Sequence, residues 1–163
     1  MMADLTPHFS LAELTTTSQT GPDGQRLPNQ PQPPELANLL ALCDAILEPV
    51  RELWGCPVRV TSGYRSHDVE MKVSGKDYGQ HRLGQAADIM PMGPLTIVEA
   101  YEQIWKSDLP YDQLLLEQSG DVQWIHVSYT AARPPRRDAF YSPDNGKSWA
   151  NYSAGITNPE GVA

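Results

Sequence analysis

The sequence predicts a single α+β domain with a mostly antiparallel sheet packed against helices. Helical and strand-like segments follow one another without a regular β-α repeat, and two late strands are separated by a tight turn. A chain of 163 residues is long enough for one core and short for two. We place the domain at residues 1–130. Residues 131–163, rich in Pro, Gly, Asn and Ser, are expected to form an irregular tail packed on the domain or extending from it.

Local patterns predict the helices. Ser10 and Glu13 form a capping box, which opens a short helix. A long helix begins at Pro34 and keeps an apolar three–four spacing to Trp54, with Pro49 as an interruption that can kink it. Two further helices are expected over residues 67–73 and 95–106. Residues 15–34 are expected to form an irregular surface connection.

Strands are expected at residues 58–61, 86–90, 111–117 and 122–129, from β-branching and alternation. The last two would form a hairpin around Gly120 and Asp121. A two-residue turn pairs Glu117 with Trp124 and places Glu117 diagonally beside His126. A three-residue turn would shift the register and put Glu117 on the other face of the sheet.

The bulk composition excludes several classes of function. A formal net charge of −8 argues against nucleic-acid binding, which needs clustered Lys and Arg. The one basic group is Arg133, Arg136 and Arg137, which we interpret as a solvated or partner-contacting loop. The apolar runs are too short for insertion into a membrane. The first residues lack the pattern of a secretory signal, so synthesis in the cytoplasm without a signal peptide is expected.

Two cysteines are too few for a disulfide framework. Cys43 lies on the apolar stripe of the long helix, which favours a buried reduced thiol. A bridge to Cys56 remains open at this point.

Three residues predict a metal site. His81 and Asp88 can flank a sharp turn that Gly84 permits. Asp88 begins an apolar run in which an unpaired carboxylate would be costly, and His126 lies within a short β-type run. A single histidine in such a run is more often a satisfied core residue. Together, His81, Asp88 and His126 fit a zinc site with its fourth position open to water. The remaining histidines, at 8 and 67, are expected to be structural or exposed.

Three ordered motifs also carry a resemblance to a known family. They are Ser-Gly-Tyr-Arg-Ser at 62–66, His-x-x-Gly-x-Ala-x-Asp at 81–88 and Trp-Ile-His-Val-Ser at 124–128. These motifs resemble the zinc D-alanyl-D-alanine carboxypeptidase family of murein carboxypeptidases and phage endolysins. That family belongs to a wider lysostaphin- and hedgehog-like group, and the likeness runs from about residue 8 to residue 129.

The resemblance implies a hedgehog- or D-Ala-D-Ala-peptidase-like fold and gives roles to individual residues. It makes His81, Asp88 and His126 the Zn²⁺ ligands, and it gives Arg65 the place of the arginine that orients the substrate or polarises its carbonyl. A guanidinium suits a peptide carboxylate. The alternative for Arg65 is a surface salt bridge with Asp68 or Glu70. Trp124 and Tyr129 are expected to shape the substrate cleft or to serve as packing.

Two positions depart from the family pattern. Gly79 replaces a serine two residues before the first ligand, and Gln123 stands where many members carry the catalytic glutamate. Because glutamine cannot act as a base, we favour Glu117 as the general base, with Asp121 in the turn as the weaker candidate.

The implied function is that of a zinc metallopeptidase cutting peptidoglycan stem peptides at a D-alanyl or L-alanyl–D-glutamate bond. A monomeric phage lysis enzyme, reaching the cell wall by phage-type release or as part of a virion, fits an acidic chain without a signal peptide. The alternative is a non-catalytic zinc module that binds the cell wall or serves a structural role in a virion. A third hypothesis is a metal-free scaffold on the same fold.

Overall fold

The computed structural model of the chain describes residues 4–153. Within that range the chain folds as α+β, with one mixed sheet packed against helices. The elements, in chain order, are β1 (Asp4–Thr6), β2 (Phe9–Ser10), α1 (Leu11–Thr15), α2 (Pro33–Leu42), α3 (Glu48–Trp54), β3 (Val58–Ser62), α4 (His67–Ser74), β4 (Ala86–Pro91), α5 (Ile97–Lys106), β5 (Gln113–Ser119), β6 (Val122–Ser128), β7 (Asp138–Ser142) and β8 (Ala150–Asn151).

The main sheet has six strands in the order β3-β4-β6-β5-β7-β8. Every neighbouring pair is antiparallel except β5 and β7, which are parallel. The predicted mostly antiparallel sheet is therefore confirmed, with one parallel pair that the sequence did not indicate. Strands β1 and β2 form a separate small hairpin near the N-terminus.

The β5–β6 hairpin has the register of the two-residue turn. Ser119 pairs with Val122, and Glu117 pairs with Trp124. Gly120 adopts a left-handed φ of 60° in the turn, where a side chain would be disfavoured. Glu117 consequently lies on the same face of the sheet as His126, as predicted for this register.

The long helix is unbroken along the sequence but changes its winding at one turn. The capping box of Ser10 and the following helix are as predicted, and the long helix extends from α2 through a π-helical turn, Cys43–Leu47, into α3. The Glu48 N–H donates to the Cys43 carbonyl, five residues earlier. Pro49 follows at once and has no N–H to donate. The interruption predicted at Pro49 is therefore observed as a π-helical turn, which holds one extra residue, just before the proline.

The two faces of the sheet differ in composition. One face packs against α2, α3 and α5 and carries apolar side chains, among them Ala87, Ile89, Leu114, Leu116, Ile125 and Val127. The other face carries Asp88, Glu117 and His126, and it forms the floor of a cleft. This alternation follows directly from the two-residue period of a strand.

The expected irregular tail is wrong over two stretches. Residues 138–142 form β7, and residues 150–151 form β8. The main sheet therefore contains strands from both sides of the predicted domain boundary at residue 130. β7 was missed because its partner in the parallel pair, β5, lies about two dozen residues earlier and no local turn signal connects them. Residues 154–163 of the predicted tail lie outside the described residues.

Both cysteines are free, in agreement with the predicted reduced thiol at Cys43. Burial, reinforced by nearby carboxylates, raises the pKa of the Cys43 thiol to about 12, so the group is a protonated core side chain. Over residues 4–153, the helices are too short or too polar to cross a bilayer.

Candidate metal centre

Backbone pairing brings the three predicted ligands together. Asp88 on β4 and His126 on β6 are direct partners across two antiparallel strands. His81 comes from the turn before β4 and is tied to the loop after β3, because the Arg65 N–H donates to the His81 carbonyl at 3.1 Å. All three residues are 7% exposed. Among the described residues, they form the group of His, Cys, Asp and Glu side chains that could hold a metal ion.

The three inner atoms form a nearly equilateral triangle. His81 Nε2 lies 3.2 Å from His126 Nδ1 and 3.3 Å from Asp88 Oδ1, and the third edge, from His126 Nδ1 to Asp88 Oδ1, is 3.2 Å. Tetrahedral ligands about 2.0–2.1 Å from a zinc ion stand about 3.3 Å apart. The geometry therefore fits one face of a tetrahedral site without rearrangement.

The outer hydrogen bonds assign the histidine protons. His81 Nδ1 lies 2.7 Å from the Gly63 carbonyl, which only accepts, so Nδ1 is the protonated nitrogen. His126 Nε2 lies 3.2 Å from Gln80 Oε1, so Nε2 donates there. Both inner nitrogens then present lone pairs to the carboxylate oxygen of Asp88. Three acceptors that converge in this way are stabilised by a cation between them, and two imidazoles with one carboxylate suit zinc.

Two glycines allow the loops to approach closely enough to build the triangle. A Cβ at Gly63 would lie 2.4 Å from the Leu14 carbonyl oxygen. Gly84 has a φ of +70°, and a Cβ there would lie 2.5 Å from the Glu35 carbonyl oxygen. Each position thus needs glycine for steric reasons, and Gly84 also needs it for its left-handed conformation, as predicted for the turn between His81 and Asp88.

Arg65 lies behind the ligand carboxylate as well as beside the cleft. Its Nη2 donates to Asp88 Oδ2 at 3.0 Å, and its Nε donates to Ser62 Oγ at 2.9 Å. Nη1 lies 3.5 Å from Glu70 Oε2, the partner anticipated in the salt-bridge alternative. The guanidinium therefore orients Asp88 so that Oδ1 points to the histidines, and it is less free than the sequence suggested.

Asp88 is ionised in this environment. Burial alone would raise the pKa of its carboxyl, but in the metal-free protein protons carried by His81 and His126 would supply charge and hydrogen bonds that outweigh burial. The net pKa lies far below the usual range. An ionised ligand is the form that binds metal.

Glu117 is a second carboxylate on the cleft floor, and its pKa is raised where that of Asp88 is lowered. Burial raises its pKa above the ordinary glutamate value, and the negative charge of Asp88 adds to this effect. His126, Arg65 and a hydrogen bond from Trp124 lower the pKa by less. A buried carboxylate with a raised pKa beside this triad is a candidate general base.

Gln123 lies on the other face of the sheet from the ligands. It pairs with Gln118, and its Nε2 donates to Gln118 Oε1 at 3.1 Å. Because Gln123 and His126 are three residues apart on one strand, their side chains alternate to opposite faces. A glutamate at this position would therefore not face the triad in this register.

The cleft over the triad has a volume of about 810 Å³. Its rim carries two aromatic side chains that the sequence did not single out, Tyr78, which is 69% exposed, and Trp149, which is 44% exposed. Trp124 lines the cleft as expected. Tyr129 does not, within the described residues: it directly follows β6, continues the odd-numbered, core-facing set and packs against the hydrophobic core. Of the two roles expected for Tyr129, shaping the cleft and packing, the structure shows packing.

The remaining predicted residues lie apart from the triad. His8 Nδ1 lies 2.7 Å from Glu48, and His67 Nδ1 lies 2.9 Å from Asp77, so both histidines pair with carboxylates at the surface, as expected. Asp121 lies in the exposed β5–β6 turn, outside the set of cleft residues within 4–153. Gly79, with a φ of +133°, lines the cleft and brings no side chain to it.

Sequence reasoning missed the polar residues around the ligands. Gln80 contacts His126, and the fully buried Asp112 contacts Gln80. Arg133 and Arg136, interpreted above as a solvated or partner-contacting loop, both bind Asp112. The only signal for Gln80 was its place next to His81. Asp112 gave no local signal, since its partners lie far along the chain.

The fold and the triad define the class: an α+β protein with a buried cluster of two histidines and one aspartate that could hold a metal ion, at the floor of an open cleft. Comparison with protein families then matches residues 7–128 to the family described as peptidase M15. The chain belongs to this family, and membership implies hydrolysis of peptide bonds. No curated protein matches the chain significantly.

Proposed function

We propose that the protein is a zinc metallopeptidase that hydrolyses peptide bonds in the stem peptides of peptidoglycan. The observation that carries the proposal is the placement of His81, Asp88, His126 and Glu117 in one cleft, the last three on the same face of the sheet. Family membership supports peptide hydrolysis, and the donor set supports zinc. The substrate class comes from the resemblance to murein carboxypeptidases and endolysins.

His81, Asp88 and His126 would hold the metal. When bound, zinc supplies a Lewis acid that polarises a carbonyl oxygen and lowers the pKa of water towards ~7. Arg65 fixes the carboxylate of Asp88 through its Nη2. The same side chain lines the cleft and offers its remaining edge to the substrate, the role that the resemblance implies for it.

Glu117 is the proposed general base. It accepts a proton from the attacking water and gives it to the leaving amine, so that one carboxylate serves both halves of the reaction. Its raised pKa supports this role, because the protonated form needed for the second step is then more accessible. Its position beside His126 supports the reach that the transfer needs.

The rim of the cleft is the proposed substrate surface. Trp124, Tyr78 and Trp149 offer apolar contact for a peptide laid across the floor. Gly79 offers no hydroxyl, so a substrate hydrogen bond from this position comes from the backbone alone. A D-alanyl bond or an L-alanyl–D-glutamate bond is the expected cleavage point.

The expected setting is the bacterial cell wall, reached by phage-type release or as a virion component, and the expected state is a monomer. Nucleic acid is not a proposed partner. The net charge is −8, and the arginines of the one basic segment are engaged within the fold.

The test is digestion of purified peptidoglycan by the zinc-loaded protein. Released amino groups are measured, and the products are identified by mass spectrometry, which also distinguishes the two bonds. A chelator-treated sample should be inactive and should recover when zinc is added. A folded, zinc-loaded protein that binds the cell wall and releases no amines would overturn the proposal in favour of the non-catalytic zinc module. A folded protein that takes up no metal would favour the metal-free scaffold.

A further inference from the structure

We propose that Gln80 is a positioning residue for the metal ligand His126, and that Arg133 and Arg136 hold it in place through Asp112. This inference rests on the metal site of the proposed function. It adds a series of side-chain contacts that runs from the segment after β6 to the proposed ligand His126. The segment lies beyond residues 7–128, which match the family.

The side-chain amide of Gln80 contacts one hydrogen-bond acceptor, Asp112, and one donor, the His126 ring. Its Nε2 donates to Asp112 Oδ2 at 3.0 Å. An ionised carboxylate only accepts hydrogen bonds, so this contact fixes which end of the amide is nitrogen. The oxygen must then face His126 Nε2, at 3.2 Å. Gln80 therefore favours the histidine form with the proton on Nε2, which leaves Nδ1 free for a metal.

Asp112 is held as an anion by the C-terminal segment. Its side chain accepts bonds from Arg133 Nη1 at 2.6 Å and Nη2 at 2.9 Å, and from Arg136 Nη2 at 2.7 Å. The Arg136 backbone N–H also donates to Asp112 Oδ1 at 3.1 Å. Burial would raise the pKa of Asp112, but these contacts outweigh it and lower the pKa. A permanent carboxylate cannot reverse the Gln80 amide.

All three arginines of the basic segment, Arg133, Arg136 and Arg137, make contacts within the fold. Two of them bind Asp112, and Arg137 donates to the carbonyls of Leu109 and Ser107 while its guanidinium lies over the Tyr111 ring. These contacts fasten the segment before β7 to the segment before β5. Because β5 carries Glu117, the same fastening sets both the outer shell and the strand of the proposed base.

The first experiment measures zinc affinity of the full chain by competition with a chromophoric chelator. Gln80→Leu keeps the side chain's size but removes both hydrogen bonds, and we expect zinc affinity to fall about 10–100-fold, as for other outer-shell partners. The matched control is Gln85→Leu, in the same loop, whose side chain contacts Thr130 and not a ligand. Equal zinc affinity in wild type and Gln80→Leu would overturn the proposal.

The second experiment reads the proton position directly in the metal-free protein. Nitrogen NMR of the imidazole ring distinguishes Nε2–H from Nδ1–H at His126. We expect Nε2–H in the wild type and a mixture in Gln80→Leu. Gln80→Glu, at a pH where the new carboxyl is protonated, can donate to Asp112 and accept from His126, so it should restore Nε2–H, which a packing role for Gln80 would not explain. An unchanged proton position in Gln80→Leu would contradict the proposed role.

A third variant tests the far end of the chain of contacts. Arg136→Ala removes part of the hold on Asp112, so zinc affinity should fall in the same direction as in Gln80→Leu but by a smaller factor. Unchanged zinc affinity in a folded Arg136→Ala protein would contradict the proposed role of Arg136 in holding Asp112 and Gln80 in place. All these readouts are independent of peptide cleavage, so a catalytically silent protein with the expected affinities would refute the proposed function and leave this inference standing.

Discussion

The two faces of the central sheet share the same strands but differ in chemistry, even where neighbouring residues are almost equally buried. Ile89 and Ile125 on the core face are 0% exposed, and their immediate neighbours Asp88 and His126 on the cleft face are only 7% exposed. The apolar face is stabilised by removal of apolar surface from water. The cleft face buries polar groups, which need partners to compensate for lost hydration.

The difference shows how one pair of strands separates stability from function. On the core face, neighbours of any suitable apolar shape can fill the space. On the cleft face, each buried polar atom has a specified partner: Gly63 for His81, Arg65 for Asp88 and Gln80 for His126. Substitutions one residue apart should therefore have unlike consequences, and the following predictions use that contrast.

The largest expected effect is on metal binding in Asp88→Asn. The substitution keeps the shape of the side chain but removes the charge that a cation needs, so zinc affinity should fall by more than ~100-fold, beyond the loss from outer-shell changes. Peptide cleavage should fall with it. Chelator competition measures the affinity, and thermal melting checks that the variant is folded. Retained stoichiometric zinc at wild-type affinity would contradict the assignment of Asp88 as a ligand.

The neighbouring core position should give the reverse result. Ile89→Val removes one buried methylene and should lower the free energy of unfolding by about 0.5–1.5 kcal/mol. Zinc affinity should not change, because the side chain points away from the triad. Urea unfolding of the metal-free protein measures the first quantity, and the same chelator assay measures the second. A large loss of zinc affinity without loss of stability would break the proposed separation of the faces.

A smaller effect is expected at the rim of the cleft. Trp149→Ala removes an exposed aromatic side chain, and loss of an aromatic contact of about 0.5–1.5 kcal/mol corresponds to about a 2–13-fold rise in KM. kcat should be nearly unchanged, because Trp149 is proposed to contact the substrate and takes no part in the proton transfer assigned to Glu117. Met92→Ala is the control, since Met92 is also exposed, at 60%, but does not line the cleft among the described residues. An unchanged KM would remove Trp149 from the substrate surface.

The smallest effect concerns the pH dependence of stability. Because the folded-state pKa of Glu117 is raised, the folded protein binds this proton more tightly than the unfolded chain. The associated stability is present below the unfolded pKa of about 4.3 and is lost as pH rises through the folded value. Metal-free Glu117→Gln should therefore melt higher than wild type at neutral pH, with the gap closing on acidification. A pH-independent difference between the two melting temperatures would contradict the raised pKa.

The cleft floor was predictable because its signals are local. Alternation placed Asp88 opposite Ile89, and the short turn at Gly120 set the register that brings Glu117 beside His126. The capping box at Ser10 is likewise a pattern of four neighbouring residues. In each case the interacting groups lie within one element or one turn.

The rest depends on contacts between distant parts of the chain. The parallel pairing of Leu115 with Phe140 has no turn to announce it, so β7 was taken for tail. Gln80 and Asp112 meet across 32 positions, and Arg133 reaches Asp112 across 21. Only the folded chain shows that a basic segment after the motifs contacts Asp112, and through it Gln80 and His126.

The most direct test of the account is the rate of peptide cleavage per bound zinc in Glu117→Gln and in Gln123→Glu. The account predicts that Glu117→Gln binds zinc with wild-type stoichiometry and cleaves peptidoglycan about 10²–10⁴-fold more slowly, the range for loss of a general base. Gln123→Glu should cleave at the wild-type rate, because its side chain lies on the other face of the sheet. Wild-type cleavage by zinc-loaded Glu117→Gln would contradict the account.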